Sequence, residues 1–262
     1  MSLEYRAINK ELIKLYLGKD AGHIGGSISV IPLIYEILSY KMNLTTDYFV
    51  LSKGHNAAAL YCVLAHLGII SHETLNTFYD ENGTHLGGHV PSKLVSFIPF
   101  ATGSLGHGLS LAVGMAMAQK LSSKRGHIYC ICGDGEWQEG SCWEALNFAV
   151  AHRLGNLCIV IDNNNWQGFG QLPAVMGMTT ERLKDMLSAF GAHVTICDGT
   201  TQESIRHAID CADSALAAPC VIIAKTIKGM GMLEYEDTLD SHYIPMTKEL
   251  FDRMMKDANY AN

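Results

Sequence analysis

The sequence predicts an α/β protein built on a doubly wound, mostly parallel sheet with helices on both faces. The first observation behind this is rhythm: from residue 104 to residue 227, short and almost wholly apolar runs alternate with helix-length stretches. Strands joined by helical crossovers lie parallel, and parallel strands covered on both faces are apolar throughout instead of alternating with polar residues. The second observation is placement. Two of the apolar runs, "HIYCIC" and "LCIVID", end in small polar clusters, Gly133-Asp134-Gly135 and Asp162-Asn163-Asn164-Asn165, and the C-terminal ends of strands are where such sheets bind ligands.

The elements follow in order. Residues 3–17 and 27–41 repeat apolar side chains every three or four residues and predict two helices, the second opening after Gly25-Gly26-Ser27. "DYFVLSKGH" predicts a short strand and a turn into the helical stretch "NAAALYCVLAHLG". Residues 79–103 form a loop rich in His, Gly and Pro, too long for a plain connector and therefore a candidate functional loop. "SLGHGLSLAVGMAMAQKL" predicts a helix with small residues along one face, "HIYCIC" a strand, residues 137–153 a helix and "LCIVID" a strand. The pattern repeats with a helix near 180–190, the strand "HVTIC", a helix near 202–217 and the strand "CVIIAKTI". No repeat or linker divides the chain, so residues 1–262 are expected to form a single domain with a short polar tail after about residue 229.

With 48% hydrophobic and 17% charged residues, a chain of 262 residues can bury a sizeable core. A net charge of -7, with no basic run longer than Lys124-Arg125, argues against nucleic-acid or acidic-membrane partners. No apolar run reaches membrane-spanning length, and the first 20 residues mix charges into an amphipathic helix, so a cytoplasmic location is expected. The eight cysteines form no C-x-x-C pair and lie mostly in apolar runs, where they read as small buried hydrophobes of a reducing compartment.

A carboxylate fixed between two glycines at a strand end needs a cation or a donor to offset its desolvation. If the two polar-ended strands are adjacent, Asp134 and the asparagines face one point. Their hard oxygens suit magnesium or calcium, not zinc or copper. Gly133 and Gly135 leave room for an anion against the backbone, and a helix beginning near Glu136 would present free amides to it. Each cluster alone is ordinary turn chemistry; together they predict a magnesium-diphosphate site, in the pattern G-D-G followed by N-N that thiamin-diphosphate enzymes share.

At this point the sequence resembles the amino-terminal, diphosphate-binding part of transketolase, from about residue 15 to about residue 245. "DAGHIGGSIS" resembles the family's S-G-H-P-G segment, with isoleucine in place of proline, and "FVLSKGHNAAALY" its L-S-x-G-H segment. "GGHVP", "ATGSLGHGLSLAVGMA", "GDGEWQEGSCWEA", "DNNNWQGFG" and finally "AKTIKGMG" with "DSHYIP" complete the series in the family's order. The resemblance implies that thiamin diphosphate binds with Mg2+ or another divalent cation such as Ca2+ or Mn2+. The Asp134 and Asn164 side chains and the Trp166 carbonyl would be the cation ligands. Gly133, His55, His242 and Lys228 would lie by the diphosphate, and the backbone around Gly103 and Leu105 by the aminopyrimidine. His23, His55, His89 and His242 would line the reaction cavity as catalytic groups, with imidazoles near their ordinary pKa. Glu139 would face its counterpart in a second copy.

His66, His72, His127, His152, His193 and His207 match no family segment and read as surface or satisfied histidines, whereas His85 and His107 fall inside the functional stretches. Trp137, Trp143, Phe148 and Phe169 read as core or interface. In transketolase the glutamate that activates the cofactor belongs to a following, pyrimidine-binding domain, and no such domain follows in this sequence. The resemblance therefore implies one half of a two-chain transketolase. Such an enzyme moves a two-carbon ketol unit from a ketose, usually phosphorylated or otherwise anionic, to an aldose. The partner would carry the pyrimidine domain, and self-association would give an α2β2 assembly. Two rival readings remain: one chain of a 2-oxo acid decarboxylating or deoxyxylulose-phosphate-synthase-like enzyme, and a non-catalytic magnesium-nucleotide-binding subunit. "NNNWQGFG" departs from the family, which has a smaller residue at position 166 and an I-D-G ending.

Overall fold

Ser2 caps the first helix, its hydroxyl accepting from the Tyr5 N–H, and α1 (Leu3–Tyr16) turns Tyr5, Ile8, Leu12, Ile13 and Tyr16 inward at helical spacing. In the computed structural model, which describes residues 1–19, 22–80, 86–124, 126–212, 217–257 and 260, α2 (Ile24–Glu36) follows as a largely apolar helix buried along almost its whole length. It passes into one turn of π-helix over Ile37–Lys41. The start of α2 differs from the sequence expectation, because Gly25 and Gly26 lie inside the helix and not before it. Close packing accounts for them: a Cβ on Gly25 would lie 2.4 Å from the Ser241 carbonyl oxygen, and one on Gly26 2.9 Å from the Asn56 amide nitrogen.

β1 (Tyr48–Leu51) leads through a 3-10 turn, Gly54–Asn56, into α3 (Ala57–His66), and a single turn, α4 (His72–Leu75), precedes the long loop. Then come α5 (His107–Leu121), β2 (Ile128–Gly133), a 3-10 turn (Gly135–Gln138), α6 (Gly140–Ala151) and β3 (Leu157–Asn163). Two-residue strands β4 (Trp166–Gln167) and β5 (Gly170–Gln171) make a small hairpin that the sequence did not announce. After α7 (Leu172–Met176) the alternation resumes with α8 (Thr180–Ala189), β6 (His193–Asp198), α9 (Gln202–Ala212) and β7 (Cys220–Lys225). The 3-10 turns Leu233–Tyr235 and Asp240–His242 lead to α10 (Lys248–Lys256).

The main sheet has the order β1-β2-β3-β7-β6, and every pairing in it is parallel. Alternate residues feed two cores. Phe49, Leu51, Tyr129, Ile131, Val160 and Ile222 pack under α1, α2, α3 and α9, while Val50, Ile128, Cys130, Ile159, Ile161 and Val221 pack under α5, α6 and α8. This is the doubly wound architecture expected from the sequence. The register sets Gly133 beside Asp162 and Asn163 beside Lys225, so the polar ends of β2 and β3 adjoin at one edge.

The stretch after residue 229, expected as a polar tail, is instead folded onto the first core. Met232, Met246, Leu250, Met254 and Tyr260 are buried there, and α10, capped by the Thr247 hydroxyl, buries Leu250 and Met254 one turn apart. Its polar outer face hid an amphipathic helix. None of the eight cysteines is in a disulfide, and all but Cys211 are buried. Among the described residues no helix is long and apolar enough to cross a membrane.

Candidate active site

The adjoining ends of β2 and β3 build the floor of the site. The backbone N–H of Asp134 donates to the Asp162 carbonyl at 3.2 Å, and its buried carboxylate accepts from the Asn165 N–H at 2.6 Å and from the Asn163 amide at 3.0 Å. Burial, and then the nearby Asp162 charge, push its pKa up to about 6. Asn164 is buried beside it; its Oδ1 accepts from the Trp166 N–H at 3.0 Å and its amide donates to the Ser29 hydroxyl at 3.2 Å.

Glu136 gathers three segments. One carboxylate oxygen accepts from the Ser52 hydroxyl after β1 and from the Gly106 N–H at 2.8 Å, and the other from the Gly133 N–H at 3.0 Å. Gly106 adopts φ +82° at the start of α5, a left-handed conformation that suits glycine. The amides expected to be free for an anion are thus engaged: that of Gly133 by Glu136, and that of Gly135 by Asp134 at 2.7 Å. Residues 135–138 form a 3-10 turn and the helix begins only at Gly140.

Positive charge comes from lysines instead. Lys53, after β1, is buried and ion-paired with Asp162, whose carboxylate also accepts from the Ser29 hydroxyl at 2.8 Å and from the Thr226 hydroxyl. Lys228 is 2% exposed, and among the described residues no carboxylate pairs with it. Its Nζ lies 2.8 Å from His242 Nδ1. Burial, and then the Lys53 charge, lower its pKa to about 8.

The histidines cluster above this floor. The His23 ring lies 5.2 Å from that of His55 and 5.7 Å from that of His242, centroid to centroid. Burial is the main cause that lowers the pKa of each of these three, aided for His23 by His89, for His55 by Lys53 and for His242 by Lys228; His242 falls to about 4. These imidazoles are neutral at pH 7, a correction to the expectation of ordinary values, and the cause is dehydration beside two ammonium groups.

One cavity of about 450 Å³ is lined by every residue the family resemblance assigned to catalysis, cofactor or cation, and by Gly135: His23, His55, His89 and His242, Gly103 and Leu105, Gly133, Asp134, Glu139, Asn164, Trp166 and Lys228. Glu139 and Leu105 are solvent-exposed at its rim. Sequence reasoning missed Lys53, Asn56, Glu136 and Gln138, which line the same cavity, and Asp162, which holds Lys53 from below. A charged residue beside an apolar strand was the available signal for Lys53 and Glu136. Phe169, read as core or interface, stands 89% exposed and also lines the cavity, whereas Trp137 is buried in the second core. His107 borders a neighbouring groove with Ser104 and Ser110, and His85 lies outside the described residues.

The donor set suits a hydrated dication carrying phosphate. Asp134 offers a buried carboxylate and Asn164 a buried amide side chain, both hard oxygen donors, and Trp166 lines the same cavity. Among the described residues no cluster of three or more His, Cys, Asp or Glu side chains could hold a metal by itself. Lys228, a buried ammonium with no acid partner among the described residues, suits an anion at the same place.

Residues 18–260 match the family described as "Transketolase, thiamine diphosphate binding domain", so the class of the chain is a thiamin-diphosphate-binding domain. The chain belongs to the transketolase family. It is 36% identical over 261 residues to the 6-deoxy-6-sulfo-D-fructose transketolase subunit SqwG of Clostridium sp., covering 96% of this chain and 94% of that protein. It is 34% identical over 267 residues to one of the subunits of the apulose-4-phosphate transketolase of Phocaeicola vulgatus, covering 99% and 94%. The crystal structure of transketolase from Campylobacter jejuni superposes with a TM-score of 0.83 at 31% identity; it covers 97% of this chain, which spans 41% of that longer one.

Proposed function

We propose that this protein is the diphosphate-binding subunit of a two-chain transketolase and transfers a two-carbon ketol unit from an anionic ketose to an aldose. Asp134 and Asn164 at the adjoining ends of β2 and β3, on one cavity with Lys228, are the observation that carries this reading. Relatives that are themselves subunits are named for a sulfonated and a phosphorylated sugar, both anions, and this supports an anionic donor here.

Asp134, the Asn164 amide oxygen and the Trp166 carbonyl would hold Mg2+, and Lys228 with Lys53 would balance the diphosphate. When bound, thiamin diphosphate supplies the carbanion that attacks a sugar carbonyl. The chain's own groups bind and orient the sugar. A neutral imidazole has one N–H donor and one lone pair, so His23, His55 and His242 can each bind a hydroxyl and hold a proton while a carbonyl oxygen becomes a hydroxyl and reverts. His89 stands at the same wall. The partner chain would add the pyrimidine domain and its activating glutamate, and Glu139 at the rim would meet a second copy in an α2β2 assembly. Eight cysteines outside any disulfide suit a reducing cytoplasm.

Reconstitution tests this reading. The purified chain alone should show no ketol transfer, the complex with its partner should use xylulose 5-phosphate and not pyruvate as donor, and Asp134→Ala in that complex should lose magnesium-dependent cofactor retention. Turnover by the chain alone, pyruvate decarboxylation by the complex, or full retention in the variant would each sink it.

A further inference from the structure

No residue of the hairpin β4–β5 belongs to either core. Its strands are two residues each, and Phe169 at its tip is 89% exposed. Trp166, Gln167, Gly168 and Phe169 all line the cavity, and Gly168 sits where an added Cβ would lie 3.5 Å from His242 Nε2. Hydrogen bonds therefore have to place this wall. At its base the Leu172 N–H donates to the Asn165 carbonyl at 2.8 Å. Towards the 3-10 turn after β2, the Gln138 amide donates to Gln167. On the other side the Trp166 indole N–H donates to the Asp237 carboxylate at 2.7 Å, across 71 residues of sequence.

Asp237 makes a second tie: its backbone N–H donates to the Lys228 carbonyl at 2.9 Å. One residue thus links the segment carrying the Trp166 carbonyl to the segment carrying the Lys228 ammonium. Both ends of the link turn through left-handed backbone. Asn165, just before Trp166, has φ +63°, and Asp237 has φ +54°. Asn and Asp tolerate this conformation better than other residues with a Cβ, so both turns are ones these residue types can hold.

We propose that the Trp166–Asp237 hydrogen bond is a latch that fixes the hairpin as a wall of the cavity, and that Asp237 is a positioning residue acting through Trp166 on cation and cofactor binding. The inference rests on the reading of Trp166 as a cation ligand through its carbonyl, and it assigns a purpose to the tryptophan that stands where the family has a smaller residue.

Trp166→Phe removes the indole donor and keeps the backbone carbonyl and most of the ring; Asp237→Ala removes the acceptor. In the assembled two-chain complex, calorimetric titration with thiamin diphosphate at fixed magnesium should show about fivefold weaker binding for each single variant, as expected for a lost charged hydrogen bond near solvent. The double variant should be no weaker than either single, because both remove one interaction. In the full chain, the emission of Trp166, taken as the difference from Trp166→Phe, should shift on Asp237→Ala. A purely structural role would lower the unfolding midpoint without changing cofactor affinity. Wild-type affinity in both singles, additive losses in the double variant, or an unshifted Trp166 emission would overturn the latch while leaving the transketolase reading intact. A wild-type complex that binds no thiamin diphosphate would overturn that reading and the latch with it.

Discussion

Lys228 shows what the site asks of a single residue. A buried ammonium with no acid partner among the described residues destabilises the free chain, and the pH dependence follows from its pKa, lowered from 10.5 to about 8. Below pH 8 the lysine is charged both folded and unfolded, so the full desolvation cost falls on the folded state. Between pH 8 and 10.5 the folded chain releases its proton first and the cost shrinks. Lys228→Met should therefore stabilise the chain at pH 7 by about 1–3 kcal/mol, read by urea unfolding, while weakening diphosphate binding in the complex. The same charge predicts that cofactor affinity of the wild-type complex falls about tenfold per pH unit above pH 8; a flat profile up to pH 10 would contradict it. At this scale the sequence was informative where a residue stands out from its neighbours, as Asp134 does between glycines. It was silent about pairings made in space: Glu136 meets Ser52 across 84 residues and Lys53 meets Asp162 across 109.

At the scale of elements, glycines decide how closely α2 can approach the turn that presents His242. Gly25→Ala would drive a methyl group into the Ser241 carbonyl and hydroxyl, and should cost about 1–3 kcal/mol by overpacking. Gly114, inside α5, has no other segment within 4 Å of an added Cβ; Gly114→Ala should stabilise the chain by about 0.5–1 kcal/mol through helix propensity. Thermal unfolding of the two variants checks the opposite signs. The strands of the main sheet were legible because parallel strands buried on both faces are apolar and bounded by turn residues. The hairpin β4–β5 was not, since strands of two residues have no period to read. The start of α2 was misplaced because glycine ordinarily breaks a helix, and only the contact with the 240–242 turn explains its presence inside one.

Across the whole molecule, the chain's two ends share one core, since α10 packs against α1. Truncation before Met246 would uncover the face on which Met246, Leu250, Met254 and Tyr260 are buried. At roughly 1.5–3 kcal/mol for each large apolar side chain, the loss approaches the whole stability of a domain. A chain ending at residue 245 should therefore unfold at much lower urea than the full chain; an unchanged midpoint would show that the C-terminal segment is dispensable. Composition concealed this, because only Leu250, Phe251, Met254 and Met255 interrupt a polar helix. The motifs, by contrast, were legible as a set, because each is a run of glycines and polar residues at the edge of an apolar element and their order matches one family domain.

The carboxylate of Glu136 ties the end of β1, the beginning of α5 and the end of β2 into a single knot. No one of these strands of chain can drift without dragging the other two, so the floor is set before any guest arrives and tolerates little change. Phe169, 89% exposed at the tip of the latched hairpin and outside both cores, is by contrast a wall side chain whose replacement would leave that floor in place.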